Sequence, residues 1–431
     1  MKILRTTDRN FRYDFGKVFK RTSDTPDSVL KTVADILDDI KRIGDQALIK
    51  YTSKFDQHEM TMKSLEVSPK EINHALKVVS AEHVKALELA AERIEDFYKA
   101  QKDTGLSHKK DGVELDLVVR PLEKVGIYVP GGKASYPSSV LMSAIPAKVA
   151  KVDQITMCSP WQGGEHNPAT LVAAHICGIK KIYKIGGAQA IAAMAYGTKT
   201  IEKVDKIVGP GNIYVSIAKK MVFGEVDIDM IAGPSEIVVI GDGSVPAAHV
   251  ASDLLSQAEH DEMACSLLLT TNSNYAIRVE GEVRKQILRL DRKNIASESI
   301  KKRGLIVLVR NLDEAVDLVN EVAPEHLEIC TEDPDDLVPR IKHAGAIFVG
   351  PHTPVVMGDY LAGPSHVLPT QGSARFFSVL RVSDFVKTTS IIKFTEKAFR
   401  KYGPTAAKLA SLEGLTGHAH SVTLRMGVLE E

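Results

Sequence analysis

The N-terminal part of the chain carries apolar side chains at helical spacing. Pro26 opens a segment in which valine, leucine and isoleucine recur three or four residues apart, and Gly44 ends that segment. The stretch SPKE at 68–71 is a capping-box pattern with proline at the first helical position. Long helical patterns continue to about Gln101, so the sequence predicts a helical N-terminal part.

From Val113 onward, short apolar runs alternate with helical segments. Helical patterns such as SSVLMSAIPAKVA (138–150) and AQAIAAMAYG (188–197) separate the first of these runs. Regular alternation of strand and helix predicts parallel strands joined by right-handed crossovers. The runs typical of strands lie at 124–130, 155–159, 181–187, 205–211, 227–233, 236–242, 266–271, 305–311, 326–332 and 346–350.

The whole pattern predicts an α/β protein with two incomplete Rossmann-like domains, parallel-rich sheets and small helical segments at both termini. We expect the second block of strands to share its sheet with the 113–123 region or its helices. Long helices near both ends are expected to pack against a partner subunit. The predicted boundaries are 1–25 for an N-terminal extension, 26–127 with 236–379 for one α/β domain, 128–235 for the other, and 380–431 for a helical C-terminal segment.

Composition narrows the class of function. Lys+Arg and Asp+Glu both number 55, and a formal charge of zero argues against a nucleic-acid-binding surface or a polybasic membrane surface. The hydrophobic fraction of 44% is that of a globular protein. The polar start is not typical of a signal peptide, and no apolar run approaches the length of a membrane span.

The cysteines bear on both location and metal chemistry. Cys158, Cys177, Cys265 and Cys330 are far apart and lie mostly among apolar neighbours. Because none forms a CxxC pair, they are interpreted as reduced core residues of a cytoplasmic protein. A thiolate zinc site is therefore not expected, and a metal here would need nitrogen and oxygen ligands.

Two glycine-rich turns each follow a predicted strand and open a predicted helix. They are GGAQ at 186–189 and GPGN at 209–212. Backbone N–H groups at such a helix start suit a phosphate or another anion. Neither turn is a GxGxxG motif, and no acidic ribose ligand follows at the expected distance. The pattern alone is compatible with a dinucleotide site and with ordinary tight turns.

Several polar groups could carry chemistry. In SQAEHDE (256–262), Gln257 and His260 are three residues apart and share a helix face, so both side chains can reach one point. In APEHLEI (323–329), Glu325 and His326 could divide two proton transfers. The alternative for this pair is a helix end with a solvated glutamate and a histidine that caps the last carbonyl groups.

Two further stretches add acids and histidines. GDYLAGPSHVLPT (358–370) contains Asp359 and His366. The segment follows a predicted strand, so we expect both residues beyond the carboxyl end of that strand, where open α/β sheets bind ligands. EGLTGHAH (413–420) contains Glu413 and His418. Each stretch could also be an ordinary surface segment. Taken together, Gln257, His260, Asp359 and His418 form a nitrogen and oxygen set that suits zinc, with cobalt or manganese possible by substitution.

These motifs resemble those of the L-histidinol dehydrogenase family, most clearly from Val125 to Val422. The resemblance implies a four-electron oxidation of L-histidinol to L-histidine through L-histidinal, the last step of histidine biosynthesis, with one zinc ion per active site and NAD. The stretches that carry it are YVPGGKASYPSSVLM, GGAQAIAAMAYGT, VDKIVGPGN, AGPSEIVVI, ASDLLSQAEHD, APEHLEI, GDYLAGPSHVLPT and EGLTGH.

The resemblance also implies roles for individual residues. His326 would accept the proton of the alcohol, and Glu325 would activate the water that attacks the aldehyde. The implied zinc ligands are Gln257, His260, Asp359 and His418. The implied substrate contacts are these four residues, the pair Glu325 and His326, and Ser235, His366 and Glu413. The implied NAD contacts are Tyr128, Gln189 and Asn212, which makes 128–235 the NAD-binding domain.

The family resemblance further implies a homodimer in which the terminal segments are exchanged. His418 and Glu413 would then enter the active site of the partner, while 26–127 with 236–379 would carry most metal and catalytic residues. Three alternatives remain open: a related zinc- and NAD-dependent dehydrogenase of another amino- or sulfo-alcohol, a zinc hydrolase, and a non-catalytic protein that a metal stabilises.

Overall fold

The computed structural model describes residues 1–19, 26–56, 59–101, 104–131, 136–161 and 166–427. The chain divides into two compact units. The first unit comprises Met1–Gln101 and Leu122–Phe385, and the second comprises Lys102–Pro121 and Val386–Glu431. No helix in the described part of the chain combines the length and the apolar character needed to cross a bilayer.

Strands and helices alternate along most of the chain. The strands are β1 (Lys2–Arg5), β2 (Leu106–Lys110), β3 (Val113–Pro121), β4 (Lys124–Tyr128), β5 (Gln154–Cys158), β6 (Lys181–Tyr183), β7 (Lys206–Val208), β8 (Asp227–Ile228), β9 (Glu236–Gly241), β10 (Cys265–Thr270), β11 (Gly304–Leu308), β12 (His326–Cys330), β13 (Ala346–Val349) and β14 (Val386–Phe394). The helices are α1 (Phe11–Phe19), α2 (Asp27–Ile43), α3 (Asp45–Asp56), α4 (Pro69–Val78), α5 (Ala81–Lys99), α6 (Pro137–Val149), α7 (Pro168–Cys177), α8 (Gly187–Tyr196), α9 (Ile213–Val222), α10 (Ala247–Ala258), α11 (Ser273–Ile287), α12 (Lys293–Arg303), α13 (Leu312–Val322), α14 (Val355–Tyr360), α15 (Glu396–Leu412) and α16 (Thr416–Arg425).

Six parallel strands form the larger sheet of the first unit, in the order β1-β11-β10-β9-β12-β13. Its central strands are buried along almost their whole length, because helices cover both faces. Helices α10, α11 and α12 pack on one face, and α1 and α13 pack on the other. The order of strands reverses between β9 and β12.

Five parallel strands form the second sheet of this unit, in the order β6-β5-β4-β7-β8. Helices α2, α3, α8 and α9 share one hydrophobic core with it. Helices α4 and α5 contact α6 and α7. Both sheets are parallel and alternate with helices, so the predicted α/β class with parallel-rich sheets is confirmed. Every one of the ten predicted strand runs overlaps an observed strand.

The second unit is an antiparallel sheet with two helices. Its strand order is β14-β3-β2, and α15 packs against α16. Among the described residues of this unit, Ala398 is the one buried hydrophobic residue. A hydrophobic core is therefore almost absent from this unit in a single chain.

Several predicted boundaries differ from the structure. The segment 1–25 was expected to be an extension, but β1 pairs in parallel with β11, and Phe11 and Phe15 of α1 are buried in the core. The short KILR run has no helical pattern and is too short to indicate a long strand. Its partner strand β11 lies about three hundred residues away in the sequence, so no local pattern indicates the pairing. The grouping of 26–127 with 236–379 also differs, because α2 and α3 pack on the five-stranded sheet.

Two expectations about β3 and the C-terminal segment are wrong. The 113–123 region does not join the larger sheet, because β3 pairs with β2 and with β14 in a sheet of its own. The segment 380–431 is not wholly helical, since β14 forms nine residues of antiparallel pairing before α15 begins. The pattern VKTTSIIKF is β-branched and typical of a strand, but its partner lies far away in the sequence.

Candidate active site

The predicted acid–histidine pair lies at the amino edge of the six-stranded sheet, where β12 begins. Glu325 and His326 are only 7% and 4% exposed. The backbone of Glu236, the first residue of β9, holds both side chains. Its N–H donates to Glu325 Oε2 at 2.9 Å, and its carbonyl oxygen lies 3.0 Å from His326 Nδ1. Because a carbonyl only accepts, Nδ1 carries the ring proton and Nε2 has the free lone pair.

The free nitrogen of His326 faces the interior of the site. Nε2 is buried and has no hydrogen-bond partner among the described residues, and Asp359 Oδ1 lies 3.9 Å from it. Burial, the largest cause, lowers the pKa of His326 to about 4 together with the charges of His260 and His366, against the raising effect of the hydrogen bond to the Glu236 carbonyl. The imidazole is therefore neutral at neutral pH and can accept a proton.

Glu325 is perturbed in the opposite direction. Burial raises the pKa of its carboxyl well above the usual range, and the negative charges of Glu236 and Asp359 add to this, while the Glu236 N–H opposes it. Its Oε2 lies 3.5 Å from His326 Nδ1. A carboxylate with a raised pKa is a stronger base than an ordinary one, so two proton acceptors of different strength lie side by side.

The C-terminal end of α10 brings Gln257 and His260 to this edge. Gln257 is 1% exposed, and the N–H of His260 donates to the Gln257 carbonyl at 3.2 Å. Burial lowers the pKa of His260, as does the positive charge of Arg292. The same arginine donates to the His260 carbonyl at 3.3 Å.

Asp359 and His366 come from α14 and the loop that follows it. Burial raises the pKa of Asp359 to about 7 and lowers that of His366 to about 4. The His366 ring lies between Ser139 Oγ, 3.1 Å from Nε2, and the Asp359 carbonyl, 3.0 Å from Nδ1. Ser235 precedes β9 at the same edge, and its carbonyl accepts from the N–H of Cys265 at 2.9 Å.

These residues fit a zinc site in their chemistry. Gln257, His260 and Asp359 offer an amide oxygen, an imidazole nitrogen and a carboxylate oxygen, all of which bind zinc. Burial favours the neutral imidazole, which is the form that binds a metal. The buried carboxyl of Asp359 lacks a compensating cation, as its raised pKa indicates, and a divalent ion supplies that charge.

The fourth predicted ligand lies in the second unit. His418 is on α16 and Glu413 follows the last turn of α15, and both are exposed. Within the described part of the chain, no group of three or more histidine, cysteine, aspartate or glutamate residues could hold a metal ion. A metal site made from the predicted ligands therefore needs Gln257 and a further ligand from elsewhere.

The first glycine turn lies at the carboxyl edge of the five-stranded sheet. Tyr128, the last residue of β4, accepts the N–H of Gly187 at its hydroxyl oxygen, 3.1 Å away. Gln189 is 1% exposed, and both polar atoms of its amide lack a partner among the described residues. Gly187 has φ +63°, and a Cβ there would lie 2.7 Å from Gln189 Oε1. The turn thus presents an unused buried amide.

A buried ion pair, Lys219 with Asp229, holds the second glycine turn through hydrogen bonds to Gly209. Asp229 accepts the N–H of Gly209 at 2.7 Å, and Lys219 donates to the Gly209 carbonyl at 2.9 Å and to Asp229. A Cβ on Gly209 would collide with the Tyr128 carbonyl oxygen. Asn212 caps α9 by accepting the N–H groups of Tyr214 and Val215. Both turns open ten-residue helices, which suits a phosphate-containing cofactor.

One expectation about the site is wrong, and several contributors were not foreseen. Asp359 was expected at the carboxyl edge after β13, but α14 returns to the amino edge, where Asp359 lies beside His326. The unforeseen residues are Tyr98, Ser139, Lys219, Asp229 and Glu236. A charge inside the apolar run DIDMIAG was the available signal for Asp229. Tyr98 gave none, although its hydroxyl accepts the N–H of Ser365 at 3.0 Å, next to His366.

Comparison with known proteins places these features in a family. The family model for histidinol dehydrogenase matches residues 19–426. The chain is 53% identical to histidinol dehydrogenase of Syntrophotalea carbinolica over 99% of each chain, and 51% identical to that of Geobacter metallireducens over 99% of this chain and 98% of the relative. The crystal structure of histidinol dehydrogenase from Elizabethkingia anophelis superposes with a TM-score of 0.92 at 38% identity, covering 99% of this chain and 98% of that one.

Proposed function

We propose that this chain, which belongs to the histidinol dehydrogenase family, oxidises L-histidinol to L-histidine through L-histidinal with zinc and NAD. The observation that carries the proposal is the buried pair of Glu325 and His326, which share the backbone of Glu236 and lie beside Asp359. The metal ligands and the residues that contact cofactor and substrate are part of the same proposal.

The two proton acceptors divide the two steps. In the first step, His326 Nε2 takes the hydroxyl proton, because Nδ1 is engaged with the Glu236 carbonyl and Nε2 is free. In the second step, the ionised carboxylate of Glu325 takes a proton from the water that adds to the aldehyde. Zinc, held by the proposed ligands, would position the nitrogen atoms of the substrate, and NAD would supply the hydride acceptor for each step.

The substrate contacts surround these two bases. Gln257, His260 and Asp359 would hold zinc, and Ser235 and His366, which lie at the same edge of the sheet, would contact the substrate. The hydrogen bonds of His366 to Ser139 and to the Asp359 carbonyl support this assignment, because they hold the ring in one orientation. Hydrogen bonds from neighbouring groups fix the orientation of a side chain that contacts a ligand.

The fourth ligand comes from a second copy of the chain. In a homodimer with exchanged terminal segments, His418 and Glu413 of one chain complete the site of the other. The nearly absent core of the second unit supports this, since a unit of this size needs to bury apolar surface. Its exposed apolar side chains are Leu106, Leu115, Leu117, Ile392, Phe394, Leu409, Leu412, Leu415 and Leu424.

NAD binds at the two glycine turns of the five-stranded sheet, with Tyr128, Gln189 and Asn212 as contacts. The unpartnered amide of Gln189 supports this position, because a buried polar group without a partner is costly unless a ligand satisfies it. The cytoplasm is the proposed location. The four cysteines are free and buried, as suits a reducing compartment.

The decisive experiment follows NADH formation from L-histidinol with metal-analysed protein, with and without a chelator. Two NADH per L-histidinol, and loss of activity on chelation, are expected. A related dehydrogenase would prefer another amino- or sulfo-alcohol in a substrate panel. A zinc hydrolase would give no NADH from L-histidinol, and that result would overturn the proposal.

Sharing of sites between subunits has its own test. Glu325→Gln should spare oxidation of the alcohol but impair oxidation of L-histidinal, and His418→Ala should lose zinc. If sites are shared, mixing the two variants should restore activity, because one hybrid site then contains both a native Glu325 and a native His418. Absence of recovery after proven subunit exchange would count against the exchanged dimer, and full zinc retention in His418→Ala would remove it from the ligands.

A further inference from the structure

The carboxyl edge of the six-stranded sheet contains an acidic cavity that opens to solvent and that the reaction does not use. The cavity has a volume of about 140 Å³ and lies where β9 and β12 are neighbours. Asp253 of α10 and Glu328 of β12 line it, together with His249 and Pro354. Open α/β sheets commonly place ligands at this point of strand reversal, so the presence of two carboxyl groups there calls for an explanation.

Glu328 connects two elements through its two oxygen atoms. Its Oε1 accepts the N–H of Val355, the first residue of α14, at 2.9 Å. Its Oε2 is buried without a hydrogen-bond donor among the described residues, and the carboxyl group of Asp253 lines the same cavity and interacts with that of Glu328. Glu328 is 1% exposed, so water does not replace the missing donor.

Two ionised carboxylates cannot satisfy each other, because both only accept hydrogen bonds. One proton held between them turns the contact into a hydrogen bond and removes one buried charge. Burial raises the pKa of Asp253 to about 6 and that of Glu328 well above its usual range. The histidine nearby, His249, opposes the shift at Asp253 with its positive charge when protonated.

The residues of this carboxyl pair, and Val355 that Glu328 contacts, lie on the same elements as Gln257, His326 and Asp359 of the candidate active site. Asp253 precedes Gln257 by one turn of α10. Glu328 follows His326 by two residues in β12 and so shares its face of the strand. Val355 precedes Asp359 by one turn of α14. The pair therefore joins the three elements that carry two proposed ligands and the proposed base.

We propose that Asp253 and Glu328 are positioning residues: a singly protonated carboxyl pair that sets α10, β12 and the start of α14 relative to one another, so that Gln257, Asp359 and His326 meet at the metal. The inference rests on the metal site proposed above. The pair itself touches neither substrate nor metal, and it acts through the elements that it joins.

The test compares Glu328→Gln with Glu328→Leu in the full-length, zinc-loaded enzyme. Glutamine keeps an acceptor for the Val355 N–H and gains a donor for Asp253, whereas leucine loses both. Changes to groups that support metal ligands weaken metal binding about 10- to 100-fold. Zinc transfer to a chelator should therefore be at least about tenfold faster in Glu328→Leu and near wild type in Glu328→Gln, with KM for NAD unchanged in both.

A proton between the carboxyl groups has its own signature. The infrared difference between wild type and Glu328→Gln at neutral pH should contain the C=O band of a protonated carboxyl group, and its absence would overturn the shared proton. Wild-type zinc retention in Glu328→Leu, or equal zinc loss in both variants, would overturn the positioning role. If Glu328→Leu does not fold, Asp253→Leu and Asp253→Asn make the same comparison from α10, with the same expected contrast.

His260→Ala separates this inference from the proposed metal site. If His260→Ala keeps its zinc, the proposed metal site fails. If His260→Ala loses zinc while Glu328→Leu keeps it, the metal site stands and only the positioning role fails.

Discussion

The two parallel sheets of the first unit have the same strand order, but their candidate functional groups lie at opposite edges. Leaving out β1, the orders are β11-β10-β9-β12-β13 and β6-β5-β4-β7-β8. In each sheet the direction of strand addition reverses next to the strand that comes first in the chain, which is β9 in one sheet and β4 in the other. In the five-stranded sheet, the two candidate cofactor turns follow β6 and β7 at the carboxyl edge, beside Tyr128 at the end of β4. In the six-stranded sheet, Glu325 directly precedes β12 and His326 is its first residue, so both lie at the amino edge.

The difference lies in what each edge contributes. The carboxyl edge of the five-stranded sheet offers backbone N–H groups of glycine turns, which suit a phosphate-containing cofactor. The amino edge of the six-stranded sheet offers side chains from the end of α10 and from α14, which suit a metal and proton transfer. The usual ligand position of that sheet, at its carboxyl edge, contains the Asp253 and Glu328 carboxyl pair instead. Strand order therefore does not decide which edge becomes a site.

The largest expected effect tests the amino edge. His326→Gln keeps a polar side chain but removes the proton acceptor of the first step, so kcat for the oxidation of L-histidinol should fall by about 10²–10⁴-fold, whereas oxidation of supplied L-histidinal, which depends on Glu325, should fall less. KM for NAD and zinc content should stay near wild type, because the candidate cofactor turns belong to the other sheet. Steady-state kinetics with L-histidinol and with L-histidinal measures both steps.

His74→Gln is the matched control for this change. His74 is exposed on α4, so its substitution should leave both steps unchanged. A loss of less than tenfold in His326→Gln would contradict its role as base. A rise in KM for NAD together with the loss of kcat would contradict the assignment of proton transfer and NAD binding to different sheets.

A smaller effect tests how the carboxyl edge is held. Lys219 is 2% exposed and pairs with Asp229 beneath the second glycine turn. Lys219→Met leaves Asp229 buried without its cation, which should lower the free energy of unfolding by about 3–5 kcal/mol. KM for NAD should rise because Lys219 and Asp229 both hold Gly209, whereas zinc content should not change.

Lys203→Met supplies the comparison for that prediction. Lys203 pairs with Glu225 at the surface, and exposed pairs contribute little to stability. Chemical denaturation and NAD titration of the two variants should therefore differ clearly. Equal behaviour of Lys203→Met and Lys219→Met would contradict the role of the buried pair.

Local patterns in the sequence predict most of the first unit. Each of the ten strand runs is short, apolar and bounded by turn residues, so the strand forms where the pattern indicates. The misplaced segments depend on distant partners instead. The strand KILR needs β11, and β3 needs β14, and no local pattern encodes such pairing.

The candidate site follows the same distinction. The family motifs identify Glu325, His326, Gln257, His260 and Asp359, and the structure brings the first two together with Asp359 at one edge. Spacing alone did not indicate the edge, because α14 is held in the fold by tertiary contacts, such as the hydrogen bond from the Val355 N–H to Glu328, that no local pattern encodes. Positions such as Tyr98 are ordinary aromatic residues in the sequence, and only the fold gives the hydroxyl its partners.

The smallest expected effect sharpens the comparison at the first glycine turn. Gln189 is buried with both amide atoms unpartnered, so without NAD its polar group costs stability and contributes nothing to it. Gln189→Met has a similar shape and no such group, so the free energy of unfolding of the NAD-free protein should stay equal or rise by about 1 kcal/mol. KM for NAD should rise about tenfold as one hydrogen-bonding group is lost, with kcat and zinc content unchanged.

Gln286→Met should show the opposite pattern, which makes it the control. Gln286 donates to the Ala248 carbonyl at 2.9 Å on the six-stranded side, so its loss should lower stability and leave KM for NAD unchanged. Thermal unfolding without NAD, followed by NAD kinetics, separates the two glutamines. If Gln189→Met is destabilised in the absence of NAD and its KM for NAD is unchanged, Gln189 supports the fold of α8, and the carboxyl edge loses its clearest cofactor contact.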